Sequence, residues 1–176
     1  MGTWTFDPYH TQVEFSAKHL GMMTVRGHFA ELTATGEIDV ERPENSKIEA
    51  TINVASIRTH NAQRDKDLLS SNFLEVDKHP TITFKSTKVT QQGKDDFSIA
   101  GDLTIRDVTR PIVLDVTKEG EGTDPWGNFR TAFSATTKLN RTDFGLTYNQ
   151  VLETGGVVVG EDIKISVDVE LTAVKN

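Results

Sequence analysis

The chain has 176 residues, of which 36% are apolar, a formal charge of -7 at pH 7 and no cysteine. This length and apolar content predict a single domain spanning 1–176 with a buried core. The negative charge argues against nucleic acid, whose binders need clustered Lys and Arg. The lack of cysteine excludes disulfides, thiolate metal ligands and cysteine nucleophiles.

The first residues, Met1–Pro8, contain neither a basic leader nor an apolar segment. We therefore expect a cytoplasmic protein, or a periplasmic or extracellular one if a leader has been removed. No apolar run reaches the length of a transmembrane helix.

Apolar and polar residues alternate along most of the chain, as they do in strands with one buried face. The first run, 12–19, places Val13, Phe15, Ala17 and His19 on one side. Further strands are predicted at 24–29, 32–40, 47–54, around 82–84, and at 97–105, 112–116, 129–139 and 161–173.

The segment 59–77 breaks this alternation and predicts a helical insertion at about 61–76. Asn61 can cap a helix over 62–69, and Asn72 with Glu75 resembles a capping box for one further turn. Phe73 and Leu74 are bulky residues within the insertion. They are expected to cover one end of the fold, either as a fixed plug or as a movable lid.

Two other segments lack strand periodicity. Residues 120–127 are predicted to form a loop and 142–156 an irregular, glycine-rich segment. The whole pattern gives about nine or ten strands, whose continuous apolar face must be covered by a sandwich or by closure. It favours an all-β, up-and-down antiparallel barrel.

The histidines are the first candidates for chemistry. His10, His19 and His28 are equally spaced, but odd separations put strand residues on opposite faces, and glycines interrupt the run. No metal-ligand spacing, nucleophile elbow or nucleotide-binding fingerprint occurs, so neither a metal site nor a catalytic residue is predicted. His19, on the apolar face, is either a satisfied residue near a barrel rim or a contact to a ligand head group.

The segment 141–145 is the strongest loop signal. Arg141 and Asp143 can brace a bend with Phe144 beneath it, and Gly145 can adopt a conformation that other residues avoid. A structural corner and a ligand contact are both consistent with this pattern.

Several motifs, in order along nearly the whole chain, together resemble the YceI-like polyisoprenoid-binding proteins. The chain departs from the usual pattern at Thr11, where Ser is common, and at Asp107, where Gly is common. The matching segments are 7–11, 13–15, 19–21, 25–29, 64–73, 78–84 with Ser86, 101–105, 108–112 and 140–146.

The resemblance implies a lipocalin-like barrel whose elongated apolar cavity binds an isoprenoid lipid, such as a polyprenyl chain or an isoprenoid quinone, for carriage or storage. It implies no catalytic residue and no cofactor other than the bound lipid. Transient membrane contact is expected, and an exposed apolar rim would allow a homodimer. The expected ligand-binding residues are Val13, Phe15, Ala17, His19, Ile52, Val54, Phe84, Leu103, Ile105, Phe133, Arg141 and Phe144.

Two other functions remain open at this point. A barrel filled to its axis by side chains would favour a protein-interaction module. An enzyme acting on a small amphiphile would use His19 or His10 as a general base, but the sequence shows no partner for that base.

Overall fold

The computed structural model describes residues 2–150, 152 and 157–174. These residues form one α-helix and eleven strands. The strands are β1 (Gly2–Phe6), β2 (Gln12–His19), β3 (Met23–Phe29), β4 (Leu32–Ile38), β5 (Lys47–Asn53), β6 (Ile57–Arg58), β7 (Thr81–Gln91), β8 (Asp96–Ile105), β9 (Val108–Thr123), β10 (Phe129–Asn140) and β11 (Asp162–Ala173). The helix, α1, spans Ala62–Leu69.

The strands form a closed, up-and-down antiparallel barrel. β1 and β2 pair with different halves of the same strand, β11. Trp4 of β1 pairs with Ala173 near the end of β11, and Ser16 of β2 pairs with Lys164 near its start. β1 also pairs with β4, and β4, β5, β7, β8, β9, β10 and β11 follow in that order, so the pairing of β1 with both β4 and β11 closes the ring. β3 continues the sheet from β2, and the short β6 pairs with the end of β3. A barrel of about eight strand positions leaves an interior that side chains or one small ligand can fill.

The barrel has two ends. The connections 20–22, 59–80, 106–107 and 141–161 meet at one end, which we call the α1 end. The connections 39–46, 92–95 and 124–128 meet at the other, which we call the Trp4 end because Trp4 lies near the start of β1.

The helix lies at the α1 end and is capped as the sequence predicts. The side chain of Asn61 accepts a hydrogen bond of 3.0 Å from the backbone N–H of Arg64. Arg106, in the β8–β9 turn, holds the insertion in place by donating to the carbonyl of Phe73 at 2.8 Å and to Glu75 at 3.0 Å. Within the described part of the chain, no helix combines the length and the apolar character needed to cross a membrane.

The buried core is centred on β7 to β10. Ile82, Phe84, Ile99 and Leu103 belong to it, together with Phe144 from the turn after β10. The side chains of β11 that the alternation predicts to face inward lie along the barrel interior. They are Ile163, Ile165, Val167, Val169 and Leu171.

The fold class is confirmed, with four local differences. The segment 120–123 is not a loop, because β9 continues to Thr123 and pairs there with Phe129. No second helical turn forms at 72–75, where Glu75 bonds Arg106 and Lys78 instead of Asn72. β1 and the short β6 raise the strand number above the prediction. Of the predicted irregular segment 142–156, residues 151 and 153–156 lie outside the described residues.

Candidate functional site

The barrel interior contains a space of about 880 Å³. Its lining is predominantly apolar and comes from all eleven described strands, from α1 and from the 73–74 turn. Pockets of about 300–1,000 Å³ lined mainly by apolar side chains are typical sites for small ligands. The interior is therefore the candidate site.

Most of the sequence-predicted ligand residues face this space. β2 supplies four of them because alternation turns every second side chain inward. The predicted residues in the lining are Val13, Phe15, Ala17, His19, Ile52, Phe84, Leu103, Ile105, Phe133 and Arg141.

Val54 and Phe144 are not among the lining residues. Val54 lies in a 3-10 turn, Val54–Ser56, and Phe144 in another, Arg141–Phe144. Their side chains are only 1% and 2% exposed and belong to the packed core. A 3-10 turn does not continue the two-residue alternation of the preceding strand, so extrapolating the alternation of β5 misplaced Val54. Phe144 is buried in the turn, as the bend at 141–145 predicts, but it packs into the core and does not line the space.

Several lining residues were missed at the sequence level. Trp4 and Phe6 line the space from β1. Their alternation with the polar Thr5 could have predicted a strand with both aromatic side chains facing inward. Phe29 also lines it and packs on Phe15 with ring centroids 5.4 Å apart. Its position on the apolar face of β3 was likewise readable from the sequence.

Arg141 is the most buried charged group that lines the interior, with 3% of its surface exposed. It donates to the carbonyls of Gly160 (3.0 Å), Leu146 (2.6 Å) and Val159 (3.3 Å). Gly145 has the positive φ of 77° that closes the turn beneath it. The predicted bend is thus present, but Arg141 braces it through backbone carbonyls and not through Asp143.

Burial lowers the pKa of Arg141, an effect that the charge of Glu161 opposes. The guanidinium carbon also lies 6.0 Å from the ring centre of Phe73, within the range of a cation–π contact. Among the described residues, no carboxylate forms an ion pair with Arg141.

Other polar groups surround Arg141 at the α1 end. Lys18, His19, Arg64 and Asp67 line the space there. Gly160, whose carbonyl accepts from Arg141, connects this group to the last residues of β2, because its N–H donates to the carbonyl of Lys18 at 2.9 Å. The α1 end of the lining therefore carries most of its cations.

The Trp4 end has a different polarity. Lys118 lines the space but forms an ion pair with Glu121, and Asp39 lies nearby in the lining. Trp4 packs on Phe129 with ring centroids 6.1 Å apart. The buried indole N–H of Trp4 has no hydrogen-bond acceptor among the described residues.

A second polar cluster lies outside the lining, around Arg130. Arg130 bonds Asp124 at 2.7 Å, Glu170 at 2.8 Å and Asp7 at 2.9 Å. Asp7 also accepts from His10 at 2.8 Å. The cluster joins the turn after β1, the β9–β10 turn and β11.

These contacts shift the pKa values of the cluster. The hydrogen bond from His10 lowers the pKa of Asp7, aided by Tyr9 N–H and Arg130 against the effect of burial. The same hydrogen bond raises the pKa of His10. Burial would raise the pKa of Asp124, but hydrogen bonds from the Asn128 N–H and from Arg130 outweigh it and hold that pKa well below its ordinary value.

Asp7, His10 and Glu170 are close enough to hold a metal ion. The residues do not fit one well, because Arg130 already places its positive charge on Asp7 and Glu170. An added cation would have to displace that guanidinium. We assign the cluster a structural role.

The two proposed general bases are separated. His10 has a carboxylate partner but its side chain is 61% exposed on the outside of the barrel. His19 lines the interior, and the described residues offer it no carboxylate at ion-pair distance. Among residues 2–150, 152 and 157–174, the structure thus does not bring a histidine, its carboxylate and the interior together.

Residues 4–171 match the family model for the YceI-like domain. The chain belongs to the YceI-like family. The chain is 44% identical over 138 residues to a UPF0312 protein of Pectobacterium atrosepticum, which covers 78% of this chain and 71% of that relative. Membership of the YceI-like family confirms the resemblance inferred from the motifs.

Solved structures agree with the YceI-like assignment. The Campylobacter jejuni YCEI protein superimposes with a TM-score of 0.77 at 30% identity and covers 90% of both chains. A polyisoprenoid binding domain from Saccharophagus degradans, at 13% identity, gives a TM-score of 0.69 over 99% of this chain and 100% of that one. At that identity the second likeness shows the fold alone.

Proposed function

We propose that this protein binds an isoprenoid lipid, a polyprenyl chain or an isoprenoid quinone, inside the barrel and carries or stores it without chemical conversion. The observation that carries the proposal is the apolar interior space of about 880 Å³. A barrel packed to its axis would have favoured a protein-interaction module instead.

The energetics of burial support a chain-like ligand. Each buried methylene contributes about 0.8 kcal/mol, so each isoprene unit adds roughly 3 kcal/mol before the cost of ordering the chain. A few units therefore give tight binding without many polar contacts. The polyisoprenoid binding described for the domain from Saccharophagus degradans points to the same ligand class.

Carriage requires the lipid to enter from a membrane and leave again. Met22 and Met23, at the turn between β2 and β3, are 72% and 68% exposed. Flexible apolar side chains at such a tip suit brief contact with acyl chains. We expect this contact to be transient because the chain carries a formal charge of -7, which is repelled by anionic lipid surfaces.

The test starts from protein purified without detergent. Lipid extracted from it is identified by mass spectrometry, and the delipidated protein is titrated with geranylgeraniol and with an isoprenoid quinone under native mass spectrometry. The proposal predicts a co-purified isoprenoid and one lipid per chain on titration. A protein that is empty on purification and binds neither probe would overturn it.

A further inference from the structure

We infer that the bound lipid has an anionic, oxygen-rich head group that lies against Arg141 at the α1 end, with its tail directed towards Trp4. The inference rests on the proposed lipid binding and specifies the head group and the direction of the ligand. Phosphate and carboxylate share the required chemistry.

The first support is the incomplete pairing of Arg141. A guanidinium has five N–H donors, and three of the donors of Arg141 bond backbone carbonyls. The described residues provide no carboxylate partner and no acceptor for the other two N–H groups. The charge of Glu161 acts on Arg141 without an ion pair, and a buried charge without a directly bonded counter-charge is costly. An anion in the adjoining space would supply both the counter-charge and the acceptors.

The second support is the distribution of charge along the lining. At the α1 end the described lining residues include two partly or fully buried cations, Arg64 and Arg141, and one carboxylate, Asp67. Lys18 also borders the space there, but its exposed amine bonds Thr24. At the Trp4 end they include one cation, Lys118, and two carboxylates, Asp39 and Glu121. An anionic group is therefore attracted to the first end and repelled from the second.

The third support comes from the apolar groups at the Trp4 end. Trp4, Val40 and Phe129 line the space there, with Val40 and Phe129 also exposed to solvent. These groups suit the end of a hydrocarbon tail. The unpaired indole N–H of Trp4 is a single neutral donor, and a neutral head group bound to it would give the opposite orientation.

The first experiment compares geranylgeranyl monophosphate with geranylgeraniol, which has the same tail and no charge. Wild type should bind the phosphate roughly tenfold more tightly or better, since hydrogen bonds between charged groups exceed neutral ones. Arg141→Gln should bring the two affinities together, and Arg141→Lys should keep part of the difference. Lys138→Gln, which removes an exposed cation of β10 paired with Asp162, should leave the preference intact.

The second experiment needs no change at Arg141, so it decides the orientation even if Arg141→Gln fails to fold. Trp126→Phe leaves Trp4 as the only tryptophan of the chain. Stearate brominated near its methyl end should quench Trp4 more than stearate brominated near its carboxylate. Since stearate carries a carboxylate and geranylgeranyl monophosphate a phosphate, the two experiments also show which anion is accepted.

Three outcomes would overturn the inference. The first is equal affinity of wild type for the phosphate and the alcohol, and the second is a preference for the phosphate that Lys118→Gln abolishes but Arg141→Gln does not. The third is stronger quenching of Trp4 by the bromine near the carboxylate than by the bromine near the methyl end. Each leaves the proposed lipid binding standing as long as geranylgeraniol binds. If neither lipid binds, the proposed function itself fails.

Discussion

The ring of Phe84 lies directly against Gly101 on the neighbouring strand, in the space where a side chain at position 101 would begin. A Cβ atom on Gly101 would come within 2.5 Å of Cε2 of Phe84 and of the carbonyl oxygen of Lys85. Phe15 packs on Gly27 in the same way, because a Cβ atom built on Gly27 would lie 2.5 Å from Cζ of Phe15. Glycines thus let two aromatic rings lie flat on the barrel wall, where they line the interior.

Gly101→Ala is therefore expected to push Phe84 off the wall. Overpacking of this kind costs about 1–3 kcal/mol, and the displaced ring should also weaken lipid binding. Urea denaturation measures the first effect and titration with geranylgeraniol the second. Gly122→Ala is the matched control, because a Cβ there meets nothing within 4 Å. Equal stability of the two variants would refute this role for Gly101.

The Arg130 cluster should govern stability in acid. Asp7 and Asp124 have lowered pKa values in the folded protein, so their contribution is present above about pH 4 and is lost as the pH falls. Arg130→Gln weakens both interactions and should move acid unfolding to higher pH, as followed by circular dichroism. Lys138→Gln, at an exposed ion pair, should not. An unchanged acid midpoint in Arg130→Gln would contradict the prediction.

His10 should show the opposite pH dependence. Its pKa is raised by Asp7, so the stability from this pair is complete below about pH 6.5 and declines as the pH rises through the folded value. NMR titration should place the pKa of His10 above 6.5 in wild type. It should fall in Asp7→Asn and rise further in Arg130→Gln, since Arg130 opposes protonation. If the pKa of His10 were the same in wild type and in both variants, the coupling of His10 to Asp7 and Arg130 would be ruled out.

The N-terminal cap of α1 should stabilise the helix. Asn61→Ala removes the hydrogen bond to the Arg64 N–H and should destabilise the helix by about 1 kcal/mol. Amide exchange across 62–69 should quicken, while exchange in β7 to β10 stays slow. Gln63→Ala, an exposed change within the helix, is the control and should be neutral. If both variants exchange alike, the cap has no measurable role.

The barrel and most of its lining were predictable because alternation reports which side of a strand faces inward. In β11 five successive inward positions follow this rule. The rule fails where the backbone leaves extended geometry, as at Val54. It also missed residues 120–123, whose backbone pairs with β10 although their glycines and charges give no apolar pattern.

Long-range partners were not predictable from local patterns. Arg130 is 123 residues from Asp7 along the chain, yet the two form an ion pair. Arg141 stood out as a loop residue, but its contacts with Val159 and Gly160 depend on how the segment before β11 returns to the barrel. Cellular location and a homodimer stay predictions.

The central claim is that lipid occupies the barrel interior, and a pair of neighbouring substitutions in β5 tests it most directly. Ala50 lines the space, whereas Thr51 does not. Geranylgeraniol binding to delipidated protein is measured by native mass spectrometry for wild type, Ala50→Phe and Thr51→Phe. The account predicts one lipid per chain in wild type and Thr51→Phe and strongly reduced binding in Ala50→Phe. Undiminished binding in a folded Ala50→Phe would contradict it.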